Sequence, residues 1–278
     1  MTDTSRRSPN TVYASLRVFD LSLGEMLWSR RTIFMGLVVG LPVVLAVVVR
    51  LISMLGAPNM RLNSVAVDGP TMFGLMIWAF YMRFSIPVLG VFYGTSLIAD
   101  EVEDKTITYL FTRPIPRGAV LLGKYLAYLA CTVFVILPSI VIVWLLVIPI
   151  GGSLALSFVD MAKDLGLVAI GLAIYGAVFA FVGAAVKRPL LAGLLFVFGW
   201  EPTALALPGY LKRFTVAYYL QGLVPQAMPN DSATSLVQSI FREIPPLSDS
   251  VMWMIAMEVV FLWLAARIVA RREYVLEQ

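Results

Sequence analysis

The sequence predicts an all-α polytopic membrane protein with six transmembrane helices and an N-terminal interfacial amphipathic helix. Of the 278 residues, 60% are hydrophobic and only 14% are charged. Soluble domains are about 45–50% apolar and about 25% charged. The apolar residues also fall into six runs long enough to cross a bilayer, or nearly so. We therefore expect residues 1–278 to form a single transmembrane domain.

Two rare residue types limit the chemistry that the chain can perform. It contains no histidine, which excludes His-dependent nucleophilic catalysis and His-ligated haem. Its single cysteine, Cys131, lies in an apolar run and is expected to be a small buried hydrophobe. We expect no catalytic residue, no metal site and no enzymatic activity in this chain.

The first element, within residues 1–32, is predicted to be an amphipathic helix. Apolar residues recur at spacings of three and four, and polar residues occupy the other faces. The apolar positions are Val12, Leu16, Phe19, Leu23 and Met26, and the polar ones include Ser15, Asp20, Ser22 and Glu25. The helix is expected to lie in the headgroup region before the first span. The alternative is a helix packed on a soluble partner.

The six spans are expected at about 33–49, 71–99, 119–148, 165–186, 190–207 and 251–266. Lys and Arg are concentrated in the segments 1–32, 100–124, 187–189 and 267–278. Because such segments stay on the cytoplasmic side, both termini are predicted to be cytoplasmic in a multi-pass protein of the cell membrane.

The connection between the second and third spans, residues 98–125, is unusually charged. Acidic residues at 100–104 precede an apolar helical face formed by Ile107, Leu110 and Phe111. Pro114 and Pro116 then end the helix. Three alternatives remain for what covers this apolar face: lipid, the rest of the chain, or a groove in a partner. Charges that flank an apolar face are typical of a docking surface.

A phosphate-loop pattern in this segment is misleading. Residues 118–124 match GxxxxGK, but the next residue is Tyr125 instead of Ser or Thr, so the Mg²⁺ ligand is missing. Any ATP must therefore bind to another chain.

These residues resemble the signature of permease subunits of type-2 ABC exporters, the ABC-2 family. The matching positions are Glu101, Lys105-Thr106, Tyr109-Leu110, Arg113-Pro114, Arg117 and Gly123-Lys124. A second similarity follows the fifth span, at 198–201, 207–208 and 214–219. The family often has Gly before the Thr, where this chain has Lys105. The predicted layout agrees with the family over nearly the whole chain.

The resemblance implies a cytoplasmic coupling helix between spans two and three, within residues 100–118. It would bind a cytosolic ABC ATP-binding subunit, which would hold ATP and Mg²⁺, so this chain needs no cofactor. The implied contact residues are Glu101, Lys105, Thr106, Ile107, Leu110, Phe111, Arg113, Pro114 and Arg117. A second permease subunit, in a homodimer or a heterodimer, and membrane lipids are the other expected partners; nucleic acid is not.

Three charged residues within or beside the spans are candidates for the translocation path or its gate. Arg83 interrupts the second span, and the alternative is that it reaches the outer headgroups. Glu258 lies near the middle of the sixth span, where it either forms a structural pair facing the bundle or lines the path. Glu201 precedes a predicted break or re-entrant turn that caps the outer exit, or belongs to an aromatic belt. Arg83 and Glu258 differ too much in depth for an easy pair.

The predicted function is an ATP-driven exporter subunit that forms the translocation pathway and receives motion through residues 98–125. Two alternatives remain: a membrane subunit of an ABC system for assembly or maturation of an extracytoplasmic protein, and a non-transport membrane scaffold. A membrane-embedded enzyme is disfavoured by the missing histidine and by the absence of a convincing paired-acid or Ser-Lys site.

Overall fold

The computed structural model is a bundle of long helices. It describes residues 11–28, 30–55, 61–62, 65–66, 68–103, 117–207, 210–221, 223 and 246–271. Strand structure in these residues is confined to one short antiparallel pair, β1 (Arg61–Leu62) and β2 (Val65–Ala66). The predicted all-α class is therefore confirmed.

The helices follow the apolar runs of the sequence closely. In chain order they are α1 (Thr11–Leu27), α2 (Arg30–Met54), α3 (69–103), α4 (Arg117–Val147), α5 (Leu154–Ala185), α6 (Pro189–Ala206), α7 (Val216–Gln221) and α8 (Leu247–Arg271). A 3₁₀ turn, Tyr210–Phe214, precedes α7.

Six helices of the described chain are long and apolar enough to cross a membrane, namely α2, α3, α4, α5, α6 and α8. The predicted number of spans is confirmed. The fourth span, α5, begins at Leu154, well before the predicted start at 165, because the helix continues through the charged residues Asp160, Lys163 and Asp164. There the Lys163 ammonium bonds the Asp160 carboxylate at 3.1 Å, a spacing of three residues that supports a helix.

Two spans contain π-helical segments. They are Ile77–Ser85 and Gly90–Gly94 in α3, and Phe196–Trp200 in α6. Pro87 comes soon after Ile77–Ser85, and Pro202 comes soon after Phe196–Trp200. A proline cannot donate a hydrogen bond to the carbonyl four residues before it. Those carbonyls belong to Arg83 and Phe198, so the sequence itself removes one α-helical bond from each of these two segments. Such widened turns occur frequently at functional sites.

Helices α3 and α5 approach closely because glycines line their contact. Gly90 and Gly94 form a G-x-x-x-G pattern on α3. A Cβ at Gly90 would lie 2.8 Å from the Tyr175 Cβ, and one at Gly94 would lie 2.9 Å from the Phe179 Cβ. In lipid there is no hydrophobic driving force between helices, so their association depends on close packing. Small residues let the two backbones approach closely enough for that packing.

Buried tyrosines join the helices by hydrogen bonds. Tyr81 and Ser139 connect α3 to α4 through hydroxyls 3.0 Å apart. The Tyr128 hydroxyl donates to the Leu172 carbonyl at 2.9 Å and so connects α4 to α5. Interhelical bonds of this kind hold membrane bundles together.

Helix α1 packs along the first turns of α4. A Cβ at Gly123 of α4 would lie 2.6 Å from the Ser15 carbonyl oxygen and 2.8 Å from the Val18 Cβ, so only glycine permits this crossing. The predicted faces of α1 need one correction: Ser22, assigned to the polar side, is buried, while Leu16 of the apolar side is 54% exposed. The reason is that α1 presents its Val18 side to α4. Its position in the headgroup region stays a prediction.

Candidate functional site

Most of the predicted coupling segment lies outside the described residues. This applies to Lys105, Thr106, Ile107, Leu110, Phe111, Arg113 and Pro114. Glu101 lies in the last helical segment of α3, Ser96–Glu103, and Arg117 is the first residue of α4. The structure thus describes the helices on both sides of the segment, and the contact role of its residues stays a prediction.

A cavity of about 250 Å³ lies between α3, α5, α6 and α7. We call it the Arg83 cavity. Two of the three charged candidates, Arg83 and Glu201, line it together. The sequence did not predict that they would meet. Other lining residues used below are Trp78, Phe84, Tyr175 and Phe198.

Glu201 forms one wall of the cavity and is only 4% exposed. Its Oε2 accepts a hydrogen bond from the Tyr175 hydroxyl at 2.6 Å. Its Oε1 accepts bonds from the backbone N–H groups of Val216 at 3.2 Å and Ala217 at 3.4 Å, which are the first residues of α7. The carboxylate therefore caps α7 and ties it to α5 and α6, as an acidic group at a helix N-terminus does.

The chain after Glu201 breaks as the sequence predicts. Helix α6 ends at Ala206 with extended backbone at Leu207, and the chain then passes through the 3₁₀ turn into α7. Glu201 holds the start of α7 against the bundle, so it stabilises this break directly. Whether the broken segment caps an outer exit depends on orientation in the membrane and stays a prediction.

Arg83 lies near the middle of α3, with more than a dozen helical residues on either side. Its side chain is exposed at the rim of the cavity, and its guanidinium carbon lies 5.5 Å from the centre of the Trp78 ring. Within the described chain it makes no hydrogen bond and no ion pair, so it does not pair with Glu258. Arg83 thus shares a cavity with a second charged residue, Glu201, and is not an isolated charge in an apolar helix.

Glu258 lies elsewhere, where α8 meets α4 and α5. The Tyr125 hydroxyl is 3.0 Å from Glu258 Oε1 and 2.9 Å from the Ala173 carbonyl oxygen, and it can donate to either. The half-buried Glu258 side chain thus faces the bundle. This geometry is that of the structural alternative, and it leaves a role in a path untested.

Replacing Glu258 by Gln should leave the bundle assembled. The amide oxygen can accept the same bond, and the Tyr125 proton also has the Ala173 carbonyl as acceptor. The cost expected for one such bond in a membrane is about 0.6 kcal/mol. Thermal unfolding of the purified protein in detergent measures it, with Tyr125→Phe as the control that removes the donor. A collapse of stability in the Gln variant would show that the charge itself is structural.

The hydroxyl donors of this bundle were not predictable from the sequence. Tyr125 and Tyr175 look like ordinary aromatic residues of apolar runs, yet both bond carboxylates. Asp164 was not predicted either: its side chain is 1% exposed, and neither carboxylate oxygen has a hydrogen-bond partner among the described residues. An acid inside a long helix was the available signal for Asp164. No group of three His, Cys, Asp or Glu that could hold a metal occurs among the described residues.

Comparison with known proteins agrees with the motifs. A family model described as ABC-2 family transporter protein matches residues 29–273. The matched region contains all six candidate spans, the Arg83 cavity and the segment 98–125. No curated protein matches the chain.

Proposed function

The chain belongs to the ABC-2 transporter family, and from that premise we propose that it is the membrane-spanning permease subunit of an ATP-driven exporter. The observation that carries the proposal is the family match over residues 29–273, which covers six helices of membrane-spanning length. ATP and Mg²⁺ bind to a separate cytosolic ATP-binding subunit, so this chain performs no hydrolysis. A second permease subunit completes the pathway.

Motion from the ATP-binding subunit enters the permease through residues 98–125. The apolar face of Ile107, Leu110 and Phe111 fits a groove in that subunit. Support comes from the helices beside it: α4 begins at Arg117 and is crossed by α1 at Gly123 only two turns later. Because the crossing is close, a displacement at the start of α4 moves α1 with it. The crossing thus supplies a physical reason for Gly123 of the motif.

In the proposed pathway, the charged residues Arg83, Glu201 and Glu258 of the spans line the path or its gate. Arg83 and Glu201 share a cavity between α3 and α6, and Glu258 is bonded where α4, α5 and α8 meet. When α4 moves, both places change, since α4 bonds Glu258 through Tyr125 and contacts α3 through Ser139.

Replacing Leu110 by Asp should abolish capture of the ATP-binding subunit. A charge on the apolar face would have to enter the groove without a partner, and burial of such a group costs several kcal/mol. The test is co-expression with the ATP-binding protein encoded beside this chain, a pull-down through a tag, and ATPase activity of the captured complex.

The matched control is Leu55→Asp. Leu55 is an exposed leucine that directly follows α2, at the opposite side of the predicted membrane from residue 110. We expect Leu55→Asp to co-purify as the wild type does. Equal capture by the Leu110→Asp and wild-type chains would contradict docking through this segment.

A further inference from the structure

The Arg83 guanidinium has five N–H donors and no hydrogen-bond acceptor, so its partners must be acceptors. Among the described residues it makes neither a hydrogen bond nor an ion pair. Its guanidinium carbon lies 5.5 Å from the centre of the Trp78 ring, and its charge interacts with Tyr175 and Glu201. An arginine in the middle of a span is costly unless its charge is matched. Something with oxygen acceptors must therefore meet it.

Glu201 does not meet this need, although it lines the same cavity. Its two oxygens already accept three hydrogen bonds, from the Tyr175 hydroxyl and from the N–H groups of Val216 and Ala217. Because these bonds hold the carboxylate against α5 and α7, it is buried in the wall while Arg83 stays exposed at the rim. Among the described residues, Glu201 therefore acts on the Arg83 guanidinium through its charge and not through a hydrogen bond, and the guanidinium donors have no oxygen acceptor.

The rest of the cavity is apolar. Its buried side includes Met82, Val197 and Leu220, and its rim carries the exposed rings of Phe84 and Phe198. A volume of about 250 Å³ exceeds the roughly 150 Å³ that suffices for a benzene ring in an engineered protein cavity. Apolar walls with one cation at the mouth fit a ligand that has a hydrocarbon part and an anionic end.

We propose that the Arg83 cavity binds an amphiphile with a single anionic headgroup, a carboxylate or a phosphate. The headgroup lies on the Arg83 guanidinium, which suits these oxyanions by its paired donors. The hydrocarbon lies between Phe84 and Phe198 and reaches the apolar wall. Both aromatic residues belong to the π-helical segments of α3 and α6. A role of this ligand in transport rests on the proposed function; its binding does not.

The test compares oleate with oleyl alcohol, which has the same chain without the charge. Binding to the purified full chain in a neutral detergent is counted by native mass spectrometry. We expect oleate to bind about tenfold or more tightly than the alcohol, since a hydrogen bond to a charged group contributes about 1.5–3 kcal/mol. Arg83→Gln should remove this preference, and Arg83→Lys should retain part of it.

The matched control is Arg267→Gln. Arg267 is also exposed and also stacks on a tryptophan, with its guanidinium carbon 4.8 Å from the Trp263 ring centre, but it does not line the cavity. Its replacement should leave the preference for oleate unchanged. Equal binding of oleate and oleyl alcohol, or equal losses in the two Gln variants, would overturn the proposal.

A second measurement needs no variant and so does not depend on the stability of Arg83→Gln. A fatty acid with a diazirine in its chain is photo-crosslinked to the wild-type protein, and the labelled peptides are mapped. Labels should fall on the peptides that contain Trp78–Phe84 and Val197–Leu205; labels confined to other helices would reject the site. Competition then separates the sources: displacement by phosphatidylglycerol indicates a bilayer lipid, and displacement by free oleate alone indicates a diffusing ligand. Both assays use the permease without its ATP-binding subunit, so they succeed or fail independently of the proposed coupling.

Discussion

Replacing Glu201 by Ala is expected to destabilise the permease strongly. The change leaves the Tyr175 hydroxyl and the N–H groups of Val216 and Ala217 without their acceptor. Each buried polar group left without a partner costs about 1–3 kcal/mol. Helix α7 would also lose the carboxylate at its N-terminus. The measurement is the midpoint of thermal unfolding in detergent, together with the yield of monodisperse protein.

Two further variants separate the parts of this effect. Glu201→Gln keeps an oxygen for the α7 N–H groups, so its midpoint should stay much closer to that of the wild type. Tyr175→Phe removes one donor and leaves the cap of α7 intact, so its loss should be the smaller part of the Glu201→Ala loss. If Glu201→Ala unfolds at the wild-type temperature, the carboxylate does not hold α7, and the geometry of this end of the bundle is wrong.

Adding a methyl group at Gly183 is the second change with a large expected effect. A Cβ there would collide with the Thr95 carbonyl oxygen of α3. A side chain can relieve a collision by changing its rotamer, but a backbone atom cannot. The helices α3 and α5 would therefore have to separate. Overpacking of this kind costs about 1–3 kcal/mol. Gly183→Ala should therefore lower the unfolding midpoint measured in detergent.

Gly166→Ala is the matched control, because Gly166 lies in the same helix and a Cβ there would meet nothing within 4 Å. Removal of a helix-interior glycine stabilises by roughly 0.5–1 kcal/mol where there is room. The two substitutions should thus shift the midpoint in opposite directions. Equal shifts in the same direction would mean that α3 and α5 do not meet at Gly183.

The spans were predictable because composition alone decides them. An apolar run that is long enough to cross a bilayer has few other stable forms, and the six runs of this chain became six helices. The start of α5 at Leu154 was not predicted by the same reasoning, because Asp160, Lys163 and Asp164 interrupt the apolar residues of this span. Residues 154–164 stay helical through local pairs such as Asp160 with Lys163.

Most contacts between helices could not be predicted from the sequence. Arg83 and Glu201 are far apart in the chain, and their shared cavity depends on how α3 and α6 are rotated and shifted. Arg83 and Glu258 lie in different parts of the bundle, and the sequence did not identify Tyr125 as the partner of Glu258. The close contact of α3 with α5 at Gly90 and Gly94 was not predicted either, although the G-x-x-x-G pattern was an available signal.

The coupling motif is explained only at its edges. Gly123 is required by the crossing of α1 over α4, a contact that no local pattern around Gly123 predicts. The predicted apolar face at Ile107, Leu110 and Phe111 lies outside the described residues. Its role depends on the partner that covers it, so a direct contact measurement is needed.

The measurement that tests this role most directly is site-specific photo-crosslinking in the complex. Cys131 is buried and is the single cysteine, so Cys131→Ser gives a background without thiols. A maleimide with a photoreactive group is then attached at Leu110→Cys or, as the control, at Leu55→Cys. We predict a crosslink to the ATP-binding subunit from position 110 and none from position 55. Crosslinks from both positions, or none from position 110, would contradict a permease driven through residues 98–125.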